Sequence, residues 1–148
     1  MGWLINSSRE ETYRLLKDYF NGRHMRVMVS DPPLYIKAEF GSWTAMVLNN
    51  AKGKVTARIV EKNGGNYVDL SLDFALEYFS ALLLSIVGAI STYVFYDLLR
   101  IPSMWALFVI LIEVVVIWGI VVSSVSLTRR KLIGELNIFI QSLSAKKQ

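Results

Sequence analysis

Glu113 is the residue of this chain whose position most needs a chemical explanation. It lies about nine residues, roughly 12 Å at helical rise, into an apolar run, Trp105–Leu127, with no other ionisable side chain. A carboxylate at that depth in a bilayer costs on the order of 2.5 to 3.5 kcal/mol on insertion scales, so something must offset it. In an antiparallel hairpin with the preceding apolar run, Glu113 stands level with Val87 and Gly88. Ser85, Ser91 and Thr92 are then the hydroxyls able to hydrogen-bond a protonated Glu113. The chemistry is a proton or cation site, a polar contact to another subunit, or a neutral Glu bonded within the hairpin.

The same two runs carry rows of small residues. Ala81, Ser85 and Ala89 recur every four residues on the first, and Gly119 and Ser123 on the second. Such rows let helices approach closely, either within the hairpin or between subunits. Elsewhere the raw material for chemistry is thin. There is no Cys and a single His, which leaves no disulfide framework and no cysteine-based zinc or redox site. His24 stands between Arg23 and Arg26 as a surface residue. Asp69 and Asp73 share one side of a strand, the pattern of a solvated edge. Gly64-Gly65 lacks the Lys-Ser/Thr of a phosphate loop, and one His cannot be argued into a Ser-His-Asp set. We therefore expect no catalytic residue, metal or cofactor.

The elements that position these residues follow from composition. The 148 residues are 53% apolar and 19% charged, and a mean hydropathy of +0.40 is high for a soluble domain. The excess lies in two runs, Phe74–Tyr96 and Trp105–Leu127. Each has about 23 residues, roughly 34 Å as a helix against a hydrocarbon core of about 30 Å. Tyr93, Tyr96 and Trp105 fall where aromatic side chains favour the interface. Asp97–Ser103 is long enough only for a tight turn, with Pro102 to stop one helix and Ser103 to cap the next. Residues 74–127 are thus read as a transmembrane hairpin. Arg129, Arg130 and Lys131 follow it, the turn holds Arg100 alone, and residues 1–73 hold ten Lys or Arg. The positive-inside rule places both termini in the cytoplasm of a cell membrane. The opening residues show no secretory signal, and Asn6 stands where myristoylation at Gly2 needs Ser or Thr.

Residues 1–73 read as an α+β cytoplasmic domain. Ser8-Arg-Glu-Glu11 is a capping box, and Thr12, Leu15, Leu16, Tyr19 and Phe20 form an apolar helical face ending at Asn21-Gly22. The period then changes to two in five stretches: Met25/Val27/Val29, Leu34/Ile36/Ala38/Phe40, Trp43/Ala45/Val47, Val55/Ala57/Ile59 and Val68/Leu70/Leu72. Turn residues separate them, so the spacing predicts an antiparallel meander of about five strands. Its last strand runs through Asp73 into the first apolar run without a linker. Residues 128–148 form an amphipathic tail helix with a stripe of Leu132, Leu136, Phe139 and Leu143. The tail either continues the second span and docks on the domain, lies in the membrane plane, or meets a partner.

The ten basic residues of the domain face eight acidic ones and form no stripe, so nucleic-acid binding is not expected. The reading that results is a small non-catalytic membrane protein, an accessory or scaffolding subunit that docks through Trp43, Leu136, Phe139 and Leu143. Its expected partners are membrane lipids and other membrane subunits, or further copies of itself. The alternatives are a membrane-anchored lipid or small-ligand sensor, and a homo-oligomeric ion or proton pathway built on Glu113.

Overall fold

A computed structural model of the chain describes residues 2–5, 7–41, 51–62 and 65–145. In chain order the elements are β1 (Gly2–Ile5), α1 (Arg9–Gly22), β2 (Arg26–Asp31), β3 (Tyr35–Phe40), β4 (Gly53–Lys62), β5 (Gly65–Asp73), α2 (Ala75–Leu98) and α3 (Ser103–Ala145). The strands make one antiparallel sheet in the order β1-β5-β4-β3-β2. Strands β2 to β5 are the expected meander. The fifth strand is Gly2–Ile5, added antiparallel along β5 with Gly2 opposite Asp69 and Ile5 opposite Asn66. The strand expected at Trp43/Ala45/Val47 lies outside the described residues.

Helix α1 begins where the capping pattern puts it. Ser8 is extended, and its hydroxyl accepts from the backbone N–H of Glu11, so one of the first-turn donors is satisfied. The helix ends later than expected, because Asn21 and Gly22 are still helical. The left-handed residue is His24, with φ 55°. His24 N–H donates to Asn21 O and Met25 N–H to Phe20 O, the paired bonds of a Schellman ending, with buried Phe20 and Met25 as its apolar contact. The same device ends α2: Arg100 has φ 54°, its N–H donates to Asp97 O, and Ile101 N–H donates to Tyr96 O. Ser103 is the first residue of α3 and not a cap.

One face of the sheet is the core. Along β3 burial alternates strictly, with Ile36, Ala38 and Phe40 inside, as a period of two requires. Val55, Ala57 and Ile59 of β4 and Val68 and Leu70 of β5 continue the layer. Leu16 and Phe20 of α1 pack on it, and so do Leu132, Leu136 and Ile140 of α3. The cover is therefore two helices, one of them supplied by the far end of the chain.

Helices α2 and α3 are each long and apolar enough to cross a membrane. Only 11% of the most apolar stretch of each is buried within the chain, so most of their apolar surface is left uncovered by the rest of the fold. They run antiparallel from the turn at 99–102. Helix α3 continues without a break from Ser103 to Ala145, and its last five turns or so are the tail read above as amphipathic.

Candidate functional site

The joint between sheet and long helices is built from four contacts. Asp73 ends β5, and its Oδ1 accepts from Ala75 N–H at 2.8 Å, so the last strand residue satisfies the first backbone donor of the next helix. Phe74, buried, meets Phe40 edge to face at 5.6 Å. Just before β4, two adjacent backbone N–H groups reach different helices. Lys52 N–H donates to the Glu77 carboxylate on α2, and Ala51 N–H donates to Thr128 Oγ1 on α3 at 3.0 Å. The Thr128 hydroxyl in turn donates a hydrogen bond to Ser124 O. Glu77 and Thr128 are both buried, and their value lies in satisfying backbone donors that water does not reach.

A second set of contacts holds the tail. Trp3 Nε1 donates to Asn137 Oδ1 at 3.1 Å, Arg23 pairs with Glu135 at 3.2 Å, and the rings of Tyr19 and Phe139 stack at 4.4 Å. Burial of Tyr19 raises its phenol above the usual value; Arg23 opposes the rise and Glu135 adds to it. Leu136 is 1% exposed. Leu136 and Phe139, expected as docking surface, are thus spent inside the chain, because they fall on the α3 face that meets α1 and β1. Trp43 and the side chain of Leu143 lie outside the described residues.

Within the hairpin, Glu113 faces α2. Its two carboxyl oxygens lie 2.9 and 3.0 Å from Thr92 Oγ1, and Oε2 sits 3.6 Å from where a Cβ on Gly88 would stand. Of the three expected hydroxyls only Thr92 reaches it. Ser85 bonds back to Ala81 O, and Ser91 is exposed. Ala81 and Ser85 are buried in the seam with Ala89 half-buried beside them, so this row packs the hairpin. Gly119 and Ser123 do not: both are exposed, and a Cβ on Gly119 would meet nothing within 4 Å. Buried Ala106, Val121, Ser124 and Val125 of α3 take the inward positions instead.

A groove separates β5 from the tail of α3. Its volume is about 360 Å³, and Trp3, Leu72, Ile133 and Leu136 make its apolar walls, with Ser71 beside them. Asp69 and Arg129 are its charged lining residues. Neither the groove nor the Glu77–Lys52 contact is foreseen above. Glu77 carried a readable signal, an acid in the first turn of an apolar run, whereas the groove depends on how a distant helix lies. Among the described residues, no three His, Cys, Asp or Glu side chains come together as a metal site. The chain matches no protein-family model, and no curated protein is significantly similar to it.

Proposed function

We propose that the chain is a small non-catalytic integral membrane protein serving as an accessory or scaffolding subunit of a larger membrane complex. Helices α2 and α3 form a transmembrane hairpin, and both termini face the cytoplasm, as the charges of Arg129, Arg130 and Lys131 favour. The observation that carries this reading is the joint: adjacent N–H groups of Lys52 and Ala51 tie one sheet to both long helices. A sheet fixed in this way reports the position of the spans, or holds a docked partner at a set height and angle over the membrane. Outward side chains such as Phe108, Leu111 and Val115 are left for lipid or for a neighbouring span.

The test is the mass of the tagged protein extracted from its own membranes in mild detergent, with identification of each co-purifying chain. A stoichiometric set of different chains is the expected result. A lone monomer, or a homo-oligomer, overturns the accessory role.

A further inference from the structure

Helix α3 passes from its apolar run into three consecutive cations. Leu127 ends the run, and Arg129, Arg130 and Lys131 follow, roughly 3 to 6 Å further along the axis at helical rise. The polar layer on each side of a hydrocarbon core is about 5 to 7 Å deep, so all three side chains start within it. Successive helical residues are turned by about 100°, and the three therefore fan over roughly 200° of the helix surface. Buried Thr128 and Leu132 take the remaining side, which faces the rest of the chain. Arg129, Arg130 and Lys131 are exposed and make no ion pair among the described residues. The acids that could balance them are engaged or turned away. Glu135, one turn past Lys131, pairs with Arg23. Glu39 pairs with Lys52, Glu77 accepts from Lys52 N–H, and Asp73 accepts from Ala75 N–H. Asp69 alternates with buried Val68 and Leu70, so its side chain points to the face of β5 away from α3.

We propose that Arg129, Arg130 and Lys131 form a collar that binds the phosphates of anionic glycerophospholipids in the cytoplasmic leaflet, so that lipid charge as well as apolar length fixes the depth of α3. The assignment rests on the membrane placement proposed above. A Lys or Arg close to an anionic leaflet gains about fivefold in affinity. Arginine suits a phosphodiester because its planar fork donates to two oxygens at once. A zwitterionic lipid brings an ammonium with its phosphate and leaves the charge of the collar unbalanced. Directed apart around the helix, the three side chains reach different neighbouring lipids, and each contributes separately. The unbroken helix carries this depth on to Leu136 and Phe139, and through them to the sheet and α1.

The test uses the full chain in nanodiscs containing equal parts phosphatidylglycerol and phosphatidylcholine, followed by native mass spectrometry of the lipids retained after mild detergent exchange. Phosphatidylglycerol should be retained about fivefold over phosphatidylcholine. Each of Arg129→Gln, Arg130→Gln and Lys131→Gln should remove part of that preference, and the three together should bring the ratio to one. Arg129→Lys with Arg130→Lys keeps the charge and should keep most of the preference. Arg14→Gln with Lys17→Gln removes two exposed cations of α1 and should leave the ratio unchanged. Equal retention of the two lipids by the native chain overturns the proposal, as does an undiminished preference in the triple variant. A loss carried wholly by one of the three residues replaces the collar with a single site and overturns it too. So does displacement of the lipid by millimolar inorganic phosphate at constant ionic strength, which would reassign the cations to a soluble anion. Carbonate washing of native membranes separates this proposal from the one it rests on: release of the unmodified chain defeats the membrane placement, whereas equal lipid retention by a chain that resists washing defeats the collar alone.

Discussion

Thr92 and Glu113 close the hairpin on each other: one hydroxyl oxygen lies within 3.0 Å of both carboxyl oxygens, across a notch that the missing side chain of Gly88 leaves open. A hydroxyl can both donate and accept, so this partner serves whichever form the carboxyl takes. The acid that stood out in the sequence as a possible transport site is thereby turned toward its own hairpin.

Replacing Thr92 by Val should weaken the hairpin by about 1 kcal/mol, the scale of interhelical hydrogen bonds in membranes. A double-mutant cycle of Thr92→Val with Glu113→Ala, read by unfolding in detergent, should return a coupling of similar size. A coupling indistinguishable from zero would show that the contact contributes nothing.

Gly88 tests the notch itself. Gly88→Ala places its methyl at ordinary contact distance from Glu113 Oε2 and should change stability by less than about 0.5 kcal/mol. Gly88→Leu has to displace the carboxyl and should cost about 1 to 3 kcal/mol as overpacking. The ratio of folded to unfolded protein in a denaturant series measures both.

The Schellman ending of α1 puts an L-residue, His24, at φ 55°. Left-handed backbone costs a non-glycine residue roughly 1 kcal/mol or more. His24→Gly is therefore expected to raise the stability of the sheet and its covering helix by about that amount, and His24→Val to lower it, both visible as shifts of the thermal midpoint.

Leu136 distinguishes a core tail from a docking tail. Buried against the sheet, it should cost about 2 to 5 kcal/mol when cut to Ala, with earlier proteolysis at α1 as well as at α3. A variant of unchanged stability that had lost only partner binding would restore the docking role expected from the stripe.

Tyr19 sets an alkaline limit. Burial raises its phenol in the fold above the value of 10.0 that holds in the open chain, so on raising the pH the unfolded state loses this proton first. The native state then binds more protons than the unfolded one, and stability falls as pH rises. The contribution of Tyr19 is intact below pH 10 and is lost as pH climbs through the folded value. Thermal midpoints between pH 8 and 11 should fall less steeply for Tyr19→Phe than for the native chain.

Several elements were legible because their causes are local. The Ser8 cap, the apolar face from Thr12 to Phe20, the alternation of β3 to β5 and the two apolar runs each depend on residues at most a few positions apart. The level of Glu113 against Gly88 was legible for a similar reason: a tight turn of known length sets the register of an antiparallel pair. The turn chemistry of Asn21-Gly22 points to an ending two residues before the left-handed turn at His24, because the helix keeps both residues.

What only the tertiary structure decided are the relations between distant segments and the rotation of helices about their axes. Gly2–Ile5 is too short to show a period, and it becomes a strand because β5, more than sixty residues on, leaves an edge beside it. Ala81 and Ser85 face the seam while Gly119 and Ser123 face outward, since spacing marks a row on a helix and packing alone chooses which row meets the neighbour. The tail stripe was visible as a stripe. That α1 and β1 are its partners follows from the unbroken course of α3, 43 residues long, which carries Leu136 and Phe139 back to the first helix of the chain. The amino-acid sequence by itself determined which faces had to be covered, because burial of apolar surface is a property of each segment. The fold decided what covers them, because that depends on where segments far apart in the chain come to lie.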